Sequence, residues 1–195
     1  MVTLRLSVFT LGDGRIRLAM KKGARMIIRL SKVLLAASAG VFALLVGIDN
    51  LLDYGTNLVF VEHVLSMDTT FADSALRWRA ITSPWLHHAA YWLIIAAELV
   101  TGVLCLAGAW RLFGLRAASA ARFNAAKDLA VAGLVCGFLL YYLGFLVVGG
   151  EWFKMWQSQT WNAQAAAFRF AASFALVLIF VVLRDEEVDA GVGRE

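Results

Sequence analysis

The chain has 195 residues, 61% of them hydrophobic and 16% charged, with one proline and a formal net charge of +4. Soluble domains are about 45–50% apolar and about 25% charged, so this composition excludes an ordinary water-soluble core and points to lipid as the solvent. The basic residues flank apolar runs instead of forming one folded basic face, which excludes nucleic acid as the partner.

Taken in chain order, residues 1–25 are basic and weakly periodic, and two further methionines follow at Met20 and Met26. They read as a disordered cytoplasmic tail, or as sequence ahead of a natural start at Met26. A signal peptide with its cleavage signal at Ala37-Ser38-Ala39 fits less well, because the apolar run continues past that site. A membrane-crossing helix needs about 20 mostly apolar residues. Span one covers approximately 27–50, with Arg29 and Lys32 expected to snorkel back to the headgroups. The long connection from Asp49 to Ser83 contains NLVFVEHVLSMDTTF, apolar enough for one or two short interfacial helices. Ser83 then Pro84 reads as N-cap and first helical position.

Span two covers approximately 84–110 and carries one acid, Glu98. Span three, approximately 128–148, has no charge from Leu129 to Val148. The hairpin GGEWFKMWQSQTW follows, with Thr160 as a candidate cap for span four, approximately 162–183, which carries one base, Arg169. An acidic tail, 185–195, closes the chain. The predicted fold is all-α, a four-helix transmembrane bundle over 26–184 with short interfacial helices in the outer loops. Helices are the simplest structure that satisfies its own backbone in lipid.

Fourteen bases lie before span one, between spans two and three, or in the C-terminal tail, against three in the other two connections: Arg77, Arg79 and Lys154. The excess of Lys and Arg marks the cytoplasmic side, so both termini are expected there. Six of the seven tryptophans then fall on the outer side: Trp78, Trp85, Trp92, Trp152, Trp156 and Trp161. Tryptophan favours the membrane–water interface, but this asymmetry exceeds anchoring and predicts a packed aromatic outer cap.

Glu98 and Arg169 are the sharpest chemical candidates, because a charge near mid-bilayer costs at least about 2.5–3.5 kcal/mol. At 1.5 Å per residue Glu98 lies roughly 13 Å and Arg169 roughly 9 Å inside the same boundary, so an intramembrane pair between spans two and four is expected. Its bland use is to fix helix register. Its functional use is a proton or ion relay, or a seat for a polar headgroup. In a third arrangement the two never meet and Arg169 reaches outward to Asp49 or Asn50.

His63, His87 and His88 are weak metal candidates, since adjacent histidines point about 100° apart on a helix; no metal site and no cofactor is predicted, with haem and quinone left open. Cys105 and Cys136 sit in apolar runs, where a thiol behaves as a small hydrophobe. Ala36, Gly40, Ala43 and Gly47 form a small-residue face, and Gly133-xxx-Gly137 another. Both are helix-packing signals, within one chain or between chains.

MDTTF at Met67–Phe71, the acid Glu98 within span two, and GGEWFKMWQSQTWNAQ at Gly149–Gln164 together resemble an uncharacterised bacterial family. Its members are described only as predicted small integral membrane proteins, a domain of unknown function. The resemblance covers roughly Met26 to Arg184 and implies a four-helix protein of the bacterial inner membrane, with no activity attached.

On this reading the leading function is non-enzymatic: an accessory or interaction protein whose outer cap meets another membrane protein, a lipid or an envelope component. Trp152, Trp156 and Trp161 would anchor it, Glu151 and Lys154 would orient it, and Gln157, Asn162 and Asp68 would complete the surface. The alternatives are a small transporter or channel using Glu98 and Arg169, and a haem- or quinone-linked enzyme. The bilayer is the expected partner, with another membrane protein or a lipid beside it, and no oligomeric state is predicted.

Overall fold

A computed structural model of the chain describes residues 3–188, with side chains described for residue 20 and for 22–188. The expected tail over 1–25 falls largely on residues whose side chains lie outside that range, and of the acidic tail 185–195 only the first four residues are described.

The elements are helical throughout the described residues: α1 (Thr3–Leu52), α2 (Tyr54–Ser66), α3 (Pro84–Gly114), α4 (Ala120–Ala125), α5 (Asp128–Leu139) and α6 (Gln164–Val182). Short 3₁₀ turns occupy Arg77–Arg79 and Met155–Gln157. From Leu140 to Trp152 the chain of α5 continues as a π-helix. That departs from the α-helix expected over 128–148, since π winding normally appears as single-turn bulges. Four stretches, Lys22–Leu52, Pro84–Gly114, Ala120–Trp152 and Gln164–Val182, are long and apolar enough to cross a membrane. The all-α, four-span architecture read from the sequence is thus the one the chain adopts. Outward-facing residues such as Leu34, Leu93, Val103 and Leu176 are all more than half exposed, as a lipid-facing surface requires.

The bundle is held by close backbone approach. α1 packs on α3, α3 on α5, and α5 on α6, which returns to α1. Association in lipid has little hydrophobic drive, so small residues that let backbones meet carry it. A Cβ added to Gly108 of α3 would stand 2.3 Å from the Ala130 backbone nitrogen of α5. One added to Gly102 would strike Leu44 of α1 at 2.5 Å, and one on Gly133 would lie 2.7 Å from the Cys105 nitrogen. The small-residue faces of spans one and three therefore pack within the chain.

The two ends of the bundle differ. At the end holding residues 183–188, Arg29 is fully buried and donates to the carbonyls of Arg116, Ala118 and Glu186, with its guanidinium 4.6 Å over the Phe123 ring. Lys32 is 1% exposed. Its ammonium and that of Lys127 both donate to the Leu183 carbonyl, at the C-cap of α6, and both ion-pair with Asp185 at 2.7 and 2.6 Å. Cations suit a helix C-terminus, where carbonyls lack partners. The expectation that Arg29 and Lys32 snorkel to headgroups is therefore corrected: they turn inward and strap the segment after α6 across the bundle.

The opposite end is the cap. α2, at 13 residues, is too short to cross and lies against α3, burying Val61 and Val64. It ends at Met67, whose φ of 52° gives a left-handed C-cap. Pro84 occupies the first turn of α3 after Ser83, as read from sequence, although the Ser83 side chain makes no capping bond. The Thr160 cap is corrected: α6 begins at Gln164, and the Asn162 Oδ1 accepts from the Gln164 N–H at 3.1 Å.

Candidate functional site

Beneath the cap, between α1, α2, α3, α6 and the π-helix, lies a chamber of about 180 Å³. One water needs about 10–15 Å³ of such space, so the chamber has room for a group larger than a single water. Its acid is Glu98, 2% exposed. The Glu98 Oε2 accepts from Asn50 Nδ2 at 2.7 Å, and the Asn50 Oδ1 accepts from Asn57 Nδ2 at 2.7 Å. Tyr91 donates to the Asn50 carbonyl at 3.2 Å. Asn57 is exposed, so this ladder of amides runs from the cap surface to a carboxylate inside the bundle.

Two features leave the chamber unsatisfied. Among the described residues no Lys, Arg or His lines it, so the wall offers Glu98 no cationic partner. The Tyr141 Oη, on a side chain 4% exposed, has no hydrogen-bond partner among the described residues. Unpaired buried polar groups are rare in native interiors and each calls for a reason. The remaining wall is aromatic. Phe60, Tyr91, Tyr141, Phe145 and Phe170 all face the space, with Tyr141 5.7 Å from Phe145 and 5.0 Å from Phe170 between ring centroids.

Beside the chamber, between α2, α3 and the π-helix, runs an apolar groove of about 390 Å³. Phe60, Val61, Ile94 and Phe145 line both spaces. Gly150, just past the groove, permits the α6 start to close in: a Cβ there would meet Gln164 Nε2 at 2.4 Å.

The chain's residues 28–184 match the family model described as "Predicted small integral membrane protein (DUF2165)". The chain belongs to that family. No curated protein and no solved structure matches it. The family description agrees with the resemblance read from the hairpin and span two, and it attaches no activity to this member's chamber.

The structure does not bring Glu98 and Arg169 together. Glu98 takes Asn50 as its partner, and Arg169 is exposed on α6, where its own carbonyl accepts from Ser173 Oγ. Depth along the two helices is compatible with a pair, but helix rotation is not. The hairpin residues are mostly engaged within the cap. Glu151 pairs with Lys154 at 3.1 Å. Trp152 lies under the Arg79 guanidinium at 4.4 Å and meets Trp78 edge-on. Trp156 meets Phe71 edge-on, while Gln157 Oε1 accepts from the Phe71 N–H. Trp161 stacks on His63, which in turn bonds Asp68 at 2.7 Å. The hairpin is thus latched to the loop after α2, with Trp152 and Trp156 still 48% and 41% exposed.

The histidines are dispersed. His87 Nε2 bonds the Ile81 carbonyl, and His88 Nδ1 bonds Tyr54 Oη at 2.8 Å. Burial, with a smaller push from the Glu62 carboxylate, raises the Tyr54 phenol above its usual range and keeps it protonated. Among the described residues no group of three or more His, Cys, Asp or Glu could hold a metal ion.

Sequence reasoning missed Asn57, Tyr91 and Tyr141, and named Asn50 only as an alternative partner for Arg169. Asn50 alone carried a signal, as an amide at the end of an apolar span. The others belong to a chamber only because α2 folds back and the π-helix presents Tyr141.

Proposed function

We propose that the protein is a membrane-embedded binder of protonated amines, and that the chamber is its seat. This belongs with the transporter class of reading, with Glu98 acting without Arg169. The observation that carries it is a buried carboxylate with no cation among the described residues of its wall, beside a buried phenol that none of those residues partners. An ammonium head supplies what both lack: its N–H groups donate to the Glu98 carboxylate and to the Tyr141 oxygen. The aromatic walls add cation–π attraction, worth about 2 kcal/mol or more once desolvated. The accessory reading, through the cap tryptophans, draws less support, because Trp152, Trp156 and Trp161 already make ring contacts within the cap, although Trp152 and Trp156 stay 48% and 41% exposed.

The membrane is the bacterial inner membrane and the cap faces the periplasm, with both termini in the cytoplasm; the lysine and arginine count supports this orientation. A reporter fused at Gln157 tests it, and cytosolic exposure there would reverse the assignment. Amine binding is tested with purified protein in nanodiscs, titrated calorimetrically with ethylammonium. Wild type binds, Glu98→Gln weakens binding at least tenfold, about 1.4 kcal/mol, and tetramethylammonium, which has no N–H, binds more weakly than ethylammonium. Equal ethylammonium affinity in wild type and Glu98→Gln refutes the reading.

A further inference from the structure

The chamber and the groove are two compartments of contrasting chemistry behind one wall. The chamber holds the carboxylate, two amides and two phenols. The groove's lining includes no charged side chain, and it follows α3 from Ala90 to Ala97, roughly 10 Å of helix. Leu93, Leu143 and Val148 line it and are 71%, 49% and 41% exposed, so the groove opens on the lipid-facing side of the bundle. The rings of Phe60 and Phe145 stand between the two, 6.3 Å apart and nearly parallel, and belong to both. The π-helix borders both spaces, and such winding recurs at functional sites.

We propose that the ligand is an amphiphile: an ammonium head seated against Glu98 in the chamber, joined to a hydrocarbon chain laid along the groove. This rests on the amine reading of the chamber and deepens it. Charge complementarity selects the head, since the described wall provides a carboxyl group and no cation. Continuity through the shared wall selects the chain, since a head held at Glu98 leaves its substituent at the Phe60–Phe145 boundary. Entry is lateral, from the bilayer, through the exposed leucine side of the groove. A free short amine would need only the chamber, and the groove would then be filled by ordinary membrane lipid without preference.

The experiment separates chain from head. Wild type, Glu98→Gln, Gly144→Leu and Ala97→Leu are each placed in nanodiscs of one lipid composition and titrated with dodecylammonium and with ethylammonium. Gly144 lines the groove and not the chamber, and a Cβ there meets nothing closer than Leu140 Cδ1 at 3.9 Å, so the added side chain has room to enter the groove. Ala97 lines the groove from α3 and gives an independent second obstruction. A given probe partitions equally into identical bilayers, so the ratio between wild type and a groove variant reports the groove alone. Both groove variants are expected to weaken dodecylammonium at least fivefold and to leave ethylammonium unchanged. Unchanged dodecylammonium affinity in both variants, with Glu98-dependent ethylammonium binding intact, overturns the amphiphile and leaves the amine chamber standing. Loss of both probes in both groove variants also overturns it, because groove and chamber would then be inseparable. Binding of both probes that ignores Glu98→Gln overturns the chamber reading and the amphiphile with it.

Discussion

Asp185→Asn is a severe test of how the bundle closes at its basic end. Asp185 Oδ2 lies 2.7 Å from the Lys32 ammonium and 2.6 Å from that of Lys127, and all three side chains are at least nine-tenths buried. At an effective dielectric constant of about 20, each contact represents about 6 kcal/mol of attraction. Desolvating each ion costs several kcal/mol, so the net value of the triad is far smaller than that sum. Removing the acid, however, leaves two buried ammonium groups facing each other without compensation, and losing one side of a buried pair costs about 3–5 kcal/mol. Asparagine keeps the size of the side chain. It also keeps the backbone bonds between residue 185 and the Asn124 side chain, at 3.0 and 2.9 Å, so the loss reports charge. Reversible unfolding in mixed micelles should show Asp185→Asn destabilised by about 3 kcal/mol or more. Adding Lys32→Met should recover more than about 1 kcal/mol by removing one of the two uncompensated cations. A loss below about 0.5 kcal/mol, the size of an ordinary surface change, or no recovery in the double variant, would refute the claim that the strap neutralises a buried cationic pair.

Gly108→Leu should cost about 3 kcal/mol in the same unfolding assay, because α3 and α5 must separate to admit any side chain there. Gly114→Ala, where a Cβ meets nothing within 4 Å, should stay within about 0.5 kcal/mol; equal effects at the two glycines would remove close approach as the explanation. Arg79→Met deletes the guanidinium over Trp152 and Trp78 and should loosen the hairpin by about 1–2 kcal/mol. Amide exchange across residues 149–163 reads this directly, and unaltered protection would mean that the arginine does not hold the cap.

The expected features that held were those a single helix announces about itself. Long apolar runs, small-residue stripes and the Ser83–Pro84 start depend on neighbours in sequence, and the four membrane-crossing stretches lie close to those signals, although α1 itself begins at Thr3 and span three is part π-helix. Lateral pairing was less legible. Glu98 and Arg169 sit at compatible depths, yet Arg169 points away from the bundle and Glu98 turns to Asn50. Depth is counted by residue number, whereas rotation about the helix axis is set by which face the packing glycines press inward. Arg29 and Lys32 misled for a similar reason. A basic residue at the end of a span looks like a headgroup anchor until a distant segment brings Asp185 and two free carbonyls to it.

From its amino acids alone the chain was committed to lipid, to four crossing helices and to an aromatic-rich hairpin, because hydropathy and length act locally and leave no soluble alternative. Only the tertiary structure decided that α2 folds over the bundle, that the stretch after Leu139 widens into a π-helix, and that Asn57, Asn50, Glu98 and Tyr141 face a common space. Those four residues lie on four different elements. Their meeting depends on how backbones approach at Gly102, Gly108 and Gly133, and no pattern along a single helix encodes it.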